Sequence, residues 1–397
     1  MKALLLENIH DEAHRILTER GFEVDTRPKA LSPDELVEAL RGVHYLGIRS
    51  TTTVTDEVIA NAPDLRAIGA FCIGTNQIDL TAASRAGLPV FNAPYSNTRS
   101  VVELVIGEIV ILARRLAEKN QNMHAGVWEK SAIGSHEIRG RTLGIVGYGN
   151  IGAQLSVLAE SFGMRVLYYD IADKLPLGNA RRCETLDELL AESDTVTLHV
   201  DGRAENTMFF GADEFAKMKP RAMFLNLCRG HVVDHEALHA ALASGHVSGA
   251  AIDVFPQEPK KRSTEFESVL RGMPNVILTP HVGGSTLEAQ ENIGRYVAGK
   301  FADYEFEGST SMSVNMPEIA TTPLKYRRIL HLHHNVPGVM AAFNRILANS
   351  DLNIGAQSLA TKDDIGYAVT DVEGAPEEGM IEQLARLDGT IKVRVLP

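Results

Sequence analysis

At 397 residues the chain is long enough for two or three domains, because a single hydrophobic core rarely grows past roughly 250–300 residues. Its 44% hydrophobic and 23% charged residues are ordinary for a globular protein, and a net charge of −12 excludes a general nucleic-acid or acidic-membrane binder, since such a field repels phosphate. Cys72, Cys183 and Cys228 are odd in number and widely spaced, which suits neither a disulfide framework nor a Cys-based zinc site and fits a cytoplasmic protein. The opening residues turn polar too early for a secretory leader. The most apolar run, residues 101–112, carries Glu103 and Glu108 and falls short of the ~20 residues needed to span a bilayer.

In chain order, residues 3–6, 45–48, 65–71 and 88–91 read as buried strands. Helical patterns lie between them, among them Ser32-Pro33-Asp34-Glu35, a Ser cap with Pro at the first helical position. Such alternation predicts a parallel sheet covered by helices. Residues 100–116 follow, apolar on nearly every side, as in a helix buried in a large core or an oligomer interface. The alternation restarts at Arg141 and runs to about Pro280, with strands at 142–146, 165–169, 222–227, 249–252 and 276–278. A helix near 286–306 and a polar linker at 308–313 lead to a last segment. There the expected order is strand 328–333, helix 339–349, strands 353–360 and 365–372, helix 377–387 and strand 390–396, a βαββαβ pattern typical of a small ferredoxin-like domain. The expected class is α/β: two doubly wound parallel-sheet domains of Rossmann or flavodoxin type, then the ferredoxin-like domain.

The clearest motif is Gly147-Tyr148-Gly149-Asn150-Ile151-Gly152. A lone G-x-G-x-x-G is weak, but this one follows the strand 142–146, opens the helical pattern 153–162, and precedes a second strand that ends at Asp170, about twenty residues on. The glycines let backbone approach a pyrophosphate whose charge sits at a helix N-terminus. Asp170 accepts from ribose hydroxyls and repels a 2′-phosphate, so the pattern favours NAD over NADP.

Further groups stand just beyond predicted strands: Arg229 after 222–227, Asp253 after 249–252 with Glu258 soon behind, and His281 after 276–278. Strand carboxyl ends face the ligand crevice of an open parallel sheet. Each alone has a bland reading, as surface ion pair, solvated loop residue or structural histidine. Together they suit hydride transfer: Arg229 to fix a carboxylate and polarise a carbonyl, His281 to move the hydroxyl proton, Glu258 to orient the ring and stabilise its protonated form.

These residues, with Ala251-Ile252-Asp253-Val254-Phe255 and Thr279-Pro280-His281-Val282-Gly283-Gly284-Ser285-Thr286, resemble the D-isomer-specific 2-hydroxyacid dehydrogenase family. Cys72-Ile73-Gly74-Thr75-Asn76-Gln77-Ile78-Asp79, the run from Phe91-Asn92-Ala93-Pro94 to Ser100, and Tyr169-Asp170 with Leu175-Pro176-Leu177-Gly178 narrow the resemblance to the branch that oxidises 3-phosphoglycerate. The likeness spans essentially the whole chain, and the last segment is similar to an ACT regulatory domain. The resemblance implies a substrate-binding domain of residues 1–97 and 285–320, an NAD-binding domain of residues 98–284 and an ACT domain of residues 326–397. It implies substrate contacts from Arg49, Ser50, Gly74 and Asn76. It implies a cofactor cleft built from Gly147, Gly149, Asn150, Ile151, Gly152, Asp170, Leu227, Cys228, Arg229, Asp253, His281, Val282, Gly283 and Gly284. The helix after Ser100 would pack in a dimer core, Trp128 and Lys130 would reach a neighbouring subunit, and ACT domains would pair the dimers into a tetramer.

The chain departs from the family pattern in three places. Thr51 stands where related enzymes carry a second arginine, so Arg27 or Lys29 would have to replace that phosphate contact. Asp201 stands where proline is usual, beside the expected nicotinamide cleft. Cys228 stands where serine is usual, and a buried, inert thiol is the expectation. In His331-Leu332-His333-His334-Asn335, a strand puts His331 and His333 on one face and His334 on the other, a poor arrangement for a metal. The resemblance implies instead that His333, Asn335 and Asn353 hold L-serine, with a hinge near 308–313. The implied reaction is 3-phosphoglycerate + NAD⁺ to 3-phosphohydroxypyruvate + NADH, the first step of serine biosynthesis, under feedback by serine. Reduction of 2-oxoglutarate is a neighbouring activity, and an NAD-sensing, non-catalytic interaction protein of the same fold is the rival from another class.

Overall fold

The computed structural model describes residues 1–259, 265–324, 327–350 and 352–397; Tyr326, the first residue of the expected ACT segment, lies outside them. Three sheets carry the described residues. The first holds β1 (Lys2–Leu6), β2 (Glu23–Arg27), β3 (Tyr45–Ile48), β4 (Ala67–Ala70) and β5 (Val90–Asn92), all parallel, in the order β2-β1-β3-β4-β5. The second holds β6 (Thr142–Val146), β7 (Arg165–Tyr169), β8 (Arg181–Arg182), β9 (Thr195–Leu198), β10 (Ala222–Asn226), β11 (Val247–Ile252) and β12 (Val276–Leu278), also parallel, in the order β12-β11-β10-β9-β6-β7-β8. The third is antiparallel: β13 (Arg327–His334), β14 (Asn353–Lys362), β15 (Ile365–Glu373) and β16 (Thr390–Leu396), in the order β14-β15-β13-β16. The class is α/β with a βαββαβ C-terminal segment.

Two compact units contain these sheets. One joins Met1–Ser96 to Gln290–Pro397 and holds the first and third sheets; the other is Asn97–Ala289 and holds the second. Central strands are continuous apolar runs because both faces are covered, as parallel sheets require. Three strands escaped sequence reading. β2 (Glu23-Val24-Asp25-Thr26-Arg27) is an exposed edge strand with no apolar run, and β8 is two arginines at the other sheet's edge. β9 alternates Thr with apolar residues, as a half-buried strand would, yet every residue is buried.

In the second unit the Thr98–Arg114 helix buries Val101, Val102, Val105, Ile106, Ile109 and Leu112 against β10, β11, β12 and the Asn150–Ser161 helix. Trp128 is 80% exposed, so it is not a local core anchor.

The 308–313 segment is not the solvated polar linker expected. Ser309 and Thr310 are buried, Thr310 Oγ1 donates to the Pro317 carbonyl and accepts from the Ile319 amide, and Val314 N–H donates to Val90 O beside β5. Its hydroxyls are satisfied within the fold, which is what lets so polar a run be buried. The third sheet is tied into the same unit by Arg328, 2% exposed, which binds both oxygens of Asp371 and donates to the carbonyls of Glu307 and Thr322.

A second tie centres on Glu305, near the end of the Leu287–Glu307 helix. Its carboxylate accepts from Tyr45 Oη on β3 (2.5 Å), Arg66 Nη1 (2.6 Å) and Arg394 Nη2 on β16 (2.7 Å). Burial opposes its charge, but Arg394, the tyrosine hydroxyl and Arg66 outweigh it and hold the carboxyl below its ordinary range. Replacing Glu305 with Gln keeps the volume and strands two guanidinium groups. Equilibrium denaturation should show a loss on the order of 3 kcal/mol at neutral pH. The wild-type contribution is present above the unfolded carboxyl range and is lost as pH falls through the lower folded value. The wild-type and Glu305→Gln curves should therefore converge in acid.

Candidate active site

The dinucleotide motif lies where the sheet order reverses, between β6 and β9. Gly147 has φ +92°, and a Cβ there would stand 2.6 Å from His199 O, so the turn needs glycine twice over. A Cβ at Gly152 would meet Gly147 O at 2.3 Å, whereas the space around Gly149 is open. The Asn150–Ser161 helix starts there with no side-chain cap, leaving its first amides free for an anion. Asp170, after β7, accepts from Tyr148 N (2.7 Å) and Ala172 N (2.8 Å), which orients its carboxylate at the motif. This cradle fits a dinucleotide: glycines where backbone must come close, uncapped amides for the pyrophosphate, and a carboxylate for ribose.

Beyond the strand ends, the second unit gathers the proposed catalytic set. His281 follows β12 with φ +54°. Its Nδ1 lies 2.8 Å from Glu258 Oε2, which leaves Nε2 as the ring's other proton site. The hydrogen bond to Glu258 raises the imidazole above its ordinary value despite partial burial. Burial would raise Glu258, but its bonds to His281 and the Phe255 amide hold it below the ordinary carboxylate range. Arg229 acts electrostatically on both groups, so the three share one neighbourhood. Its Nη1 donates to Cys228 O (2.7 Å) and Asn226 Nδ2 donates to its carbonyl (3.1 Å), fixing the β10 loop.

Two residues that sequence reading passed over assemble this set. A Cβ on Gly230 would stand 2.0 Å from Phe255 C, so only glycine lets the loop carrying Arg229 pass the loop carrying Glu258. Thr279 Oγ1 donates to Asp253 Oδ1 (2.6 Å), and the amides of Val282 and Gly283 donate to the same carboxylate (2.8 Å each). Nothing in the sequence distinguishes Gly230 from any loop glycine.

Two of the three departures have a structural answer here. Asp201 is bound through both oxygens by Arg203, which holds its carboxyl below the ordinary range, so the charge is neutralised locally. Cys228 is buried, donates to Asn226 Oδ1 (3.1 Å), and is pushed up to about 11 by burial, so its thiol is inert near neutral pH.

In the other unit, Arg49 and Ser50 follow β3 and the 74–76 loop follows β4, at the carboxyl ends of adjacent strands. Gln77 Nε2 donates to the carbonyls of Arg49 (2.6 Å) and Gly74 (3.3 Å) and joins the two loops. Glu7, in left-handed backbone after β1, accepts the amides of Arg49, Thr51 and Thr52. Neither was singled out in the sequence. Arg27, at the same end of β2, is paired with Asp25 (3.0 Å) and exposed. In the third sheet His331 and His333 are buried on one face and His334 is exposed. Asn335 donates to Asp363 O (3.2 Å) and Asn353 to Glu373 Oε2 (2.9 Å), both exposed.

Residues 106–283 match the family model for the NAD-binding domain of D-isomer specific 2-hydroxyacid dehydrogenases, and residues 329–392 match an ACT domain like that of the AHAS small subunit. Over its whole length the chain is 51% identical to D-3-phosphoglycerate dehydrogenase of Haemophilus influenzae and 50% identical to that of Escherichia coli K12, covering 97% of each. The chain belongs to the D-3-phosphoglycerate dehydrogenase branch of the D-isomer specific 2-hydroxyacid dehydrogenase family. Among solved structures, the TT0316 protein of Thermus thermophilus is similar, with 31% identity and a TM-score of 0.67, the match covering 75% of this chain and 94% of that one. The cofactor of this dehydrogenase is NAD, and no described helix is long and apolar enough to cross a membrane.

With His281 as the proposed proton carrier, the Glu258–His281 pair would set the pH dependence of the dehydrogenase: carbonyl reduction would need the imidazolium and would fall as pH rises through the raised His281 value. In Glu258→Gln the ring loses its anionic partner, and the alkaline limb of kcat/KM should move to lower pH. An unmoved limb in the folded variant would remove Glu258 from this role.

Proposed function

We propose that the chain oxidises 3-phospho-D-glycerate at its C2 hydroxyl with NAD⁺, giving 3-phosphohydroxypyruvate and NADH, under feedback by L-serine. The observation that carries this reading is full-length identity of about half to D-3-phosphoglycerate dehydrogenases, in a chain whose Arg229, Glu258 and His281 share one neighbourhood. NAD supplies the hydride acceptor when bound. Arg229 binds the substrate carboxylate and polarises the C2 oxygen. His281 Nε2 takes the hydroxyl proton during oxidation and returns it during reduction, while Glu258 stabilises the imidazolium. Arg49 and Ser50, with the backbone of Gly74 and Asn76, hold the phosphate end. Gly147, Gly149 to Gly152, Asp170, Leu227 to Arg229, Asp253 and His281 to Gly284 hold the dinucleotide. The enzyme works in the cytoplasm, as a dimer through its NAD-binding domains and a tetramer through its ACT domains; the exposure of Trp128 supports the former.

Substrate choice is read from NADH consumption with 3-phosphohydroxypyruvate and with 2-oxoglutarate. Arg49→Ala should lower kcat/KM for the phosphorylated substrate by about 10–100-fold, the cost of one charged contact, and change 2-oxoglutarate reduction far less. Equal losses would move Arg49 to the shared carboxylate or to a structural role.

Regulation is assigned to His333, Asn335 and Asn353. The amide oxygens can accept from a serine ammonium, and the uncapped helix start after Gly338 favours its carboxylate. L-serine should inhibit without competing with 3-phosphoglycerate, by roughly 5–150-fold. Asn335→Ala or Asn353→Ala should raise the serine concentration required while uninhibited turnover stays nearly intact. Insensitivity of the wild-type enzyme to millimolar L-serine would refute the assignment.

A further inference from the structure

Glu108 has no part in the chemistry above, and its surroundings are unusual. It lies mid-way along the Thr98–Arg114 helix, is 2% exposed, and neither carboxyl oxygen has a hydrogen-bond partner among the described residues. Val101, Val105, Glu108 and Leu112 form one buried stripe at helical spacing on a helix that packs against β10, β11 and β12. At the top of that stripe, a Cβ placed on Gly283 would stand 3.6 Å from Val101 Cγ2 and 3.0 Å from Asp253 Oδ2. The stripe therefore backs the loop that Asp253 organises.

Glu108 lies about two helical turns along the stripe from Val101, the Asp253 carboxylate acts on it electrostatically, and the donors of these two buried acids are shared unequally. Asp253, 1% exposed, receives the Thr279 hydroxyl and two amides, while Glu108 receives none. A buried carboxylate without donors or a counter-ion is disfavoured, so the neutral form of Glu108 is favoured. Burial, and then the Asp253 carboxylate, push Glu108 up to about 8. Among the described residues no other charge offsets this. β10, β11 and β12 carry no ionisable side chain, and Asp253 is the acid at the end of β11. On the packed Asn150–Ser161 helix the one acid, Glu160, is engaged by the Asn179 amide. In the following Leu116–His124 helix, Glu118 is paired with Arg115 and Lys119 with Ser131 O, and His124 closes its last turn.

We propose that Glu108 is a positioning residue for the dinucleotide site: as a neutral acid it lets the Asp253 carboxylate hold residues 279–283 in place, and its ionisation in alkali loosens that loop and weakens dinucleotide binding. This rests on the assignment of Asp253 and residues 281–284 to the cofactor. The linkage has a definite sign. A carboxyl raised on folding contributes stability that is complete below the unfolded value near 4.5. That stability is lost as pH rises toward the folded value, and the dependence is flat beyond it.

The test compares wild type with Glu108→Gln, which keeps the neutral shape, and with Glu108→Met should the glutamine variant fold poorly. NADH affinity is measured by calorimetry from pH 6.5 to 9.5 on the full-length enzyme, with melting temperature alongside. If only the protonated form binds well, wild-type Kd rises about tenfold per pH unit above 8, while the variants keep their neutral-pH affinity. His281 titrates in all three proteins, so the difference between them isolates Glu108. The wild-type melting temperature should also fall relative to the variants between pH 5 and 8, which a purely structural Glu108 would equally produce. Parallel Kd–pH curves in wild type and variants overturn the proposal. An Asp253→Asn protein that binds NADH as tightly as wild type overturns instead the cofactor assignment beneath it.

Discussion

The carboxylate of Asp253 receives a hydroxyl and two amides from the segment after β12, and the left-handed backbone at His281 belongs to that arrangement. A residue with a Cβ is disfavoured at positive φ on its own and persists there where surrounding bonds over-determine it. Here they do: the His281 amide donates to Asp253 O, the next two amides to the Asp253 side chain, and the ring to Glu258. The imidazole is therefore presented by a loop with little freedom, which suits the proton-carrier role proposed for it, since such a group must meet its substrate at one distance.

The same loop shows how local electrostatics are divided. Glu258 lies beside a base that it makes stronger, and Asp253 spends its lone pairs on the Thr279 hydroxyl and two backbone amides. Asp201, the charge that seemed out of place beside the cofactor cleft, is absorbed by Arg203 two residues on. The other unit solves a different problem with the same groups. Glu305 binds Arg394 of β16, and Arg328 of β13, itself paired with Asp371 inside the sheet, donates to the Glu307 carbonyl, so the third sheet is fastened to the end of the Leu287–Glu307 helix by a buried ion pair and a charge-assisted hydrogen bond. Ion pairs of that kind add little net stability but penalise any arrangement that separates the partners.

Much of this was legible in the residues. Period and run length mark the apolar strands, and the glycine motif between a strand and a helix marks the cofactor turn, because those patterns follow from backbone geometry alone. β2 and β8 were not legible, since an edge strand pairs on one side only and needs no apolar run. Nor was the burial of the 308–313 segment, because composition cannot tell whether hydroxyls will be satisfied by water or by the Pro317 carbonyl and Ile319 amide.

The sequence by itself determined the α/β class, the site of the dinucleotide turn and the strand-end positions of Arg229, Asp253, Glu258 and His281, since each depends on local pattern and chain order. Only the tertiary structure decided which of these groups meet. Gly230 must lack a side chain because Phe255, 25 residues on, occupies that space, and Glu7 holds the Arg49 loop across 42 residues of sequence. Glu108 is buried with no hydrogen-bond donor among the described residues, while Asp253, far along the chain, receives the Thr279 hydroxyl and two amides. Contacts between residues far apart in sequence leave no periodic trace, so they become visible only when the chain is folded.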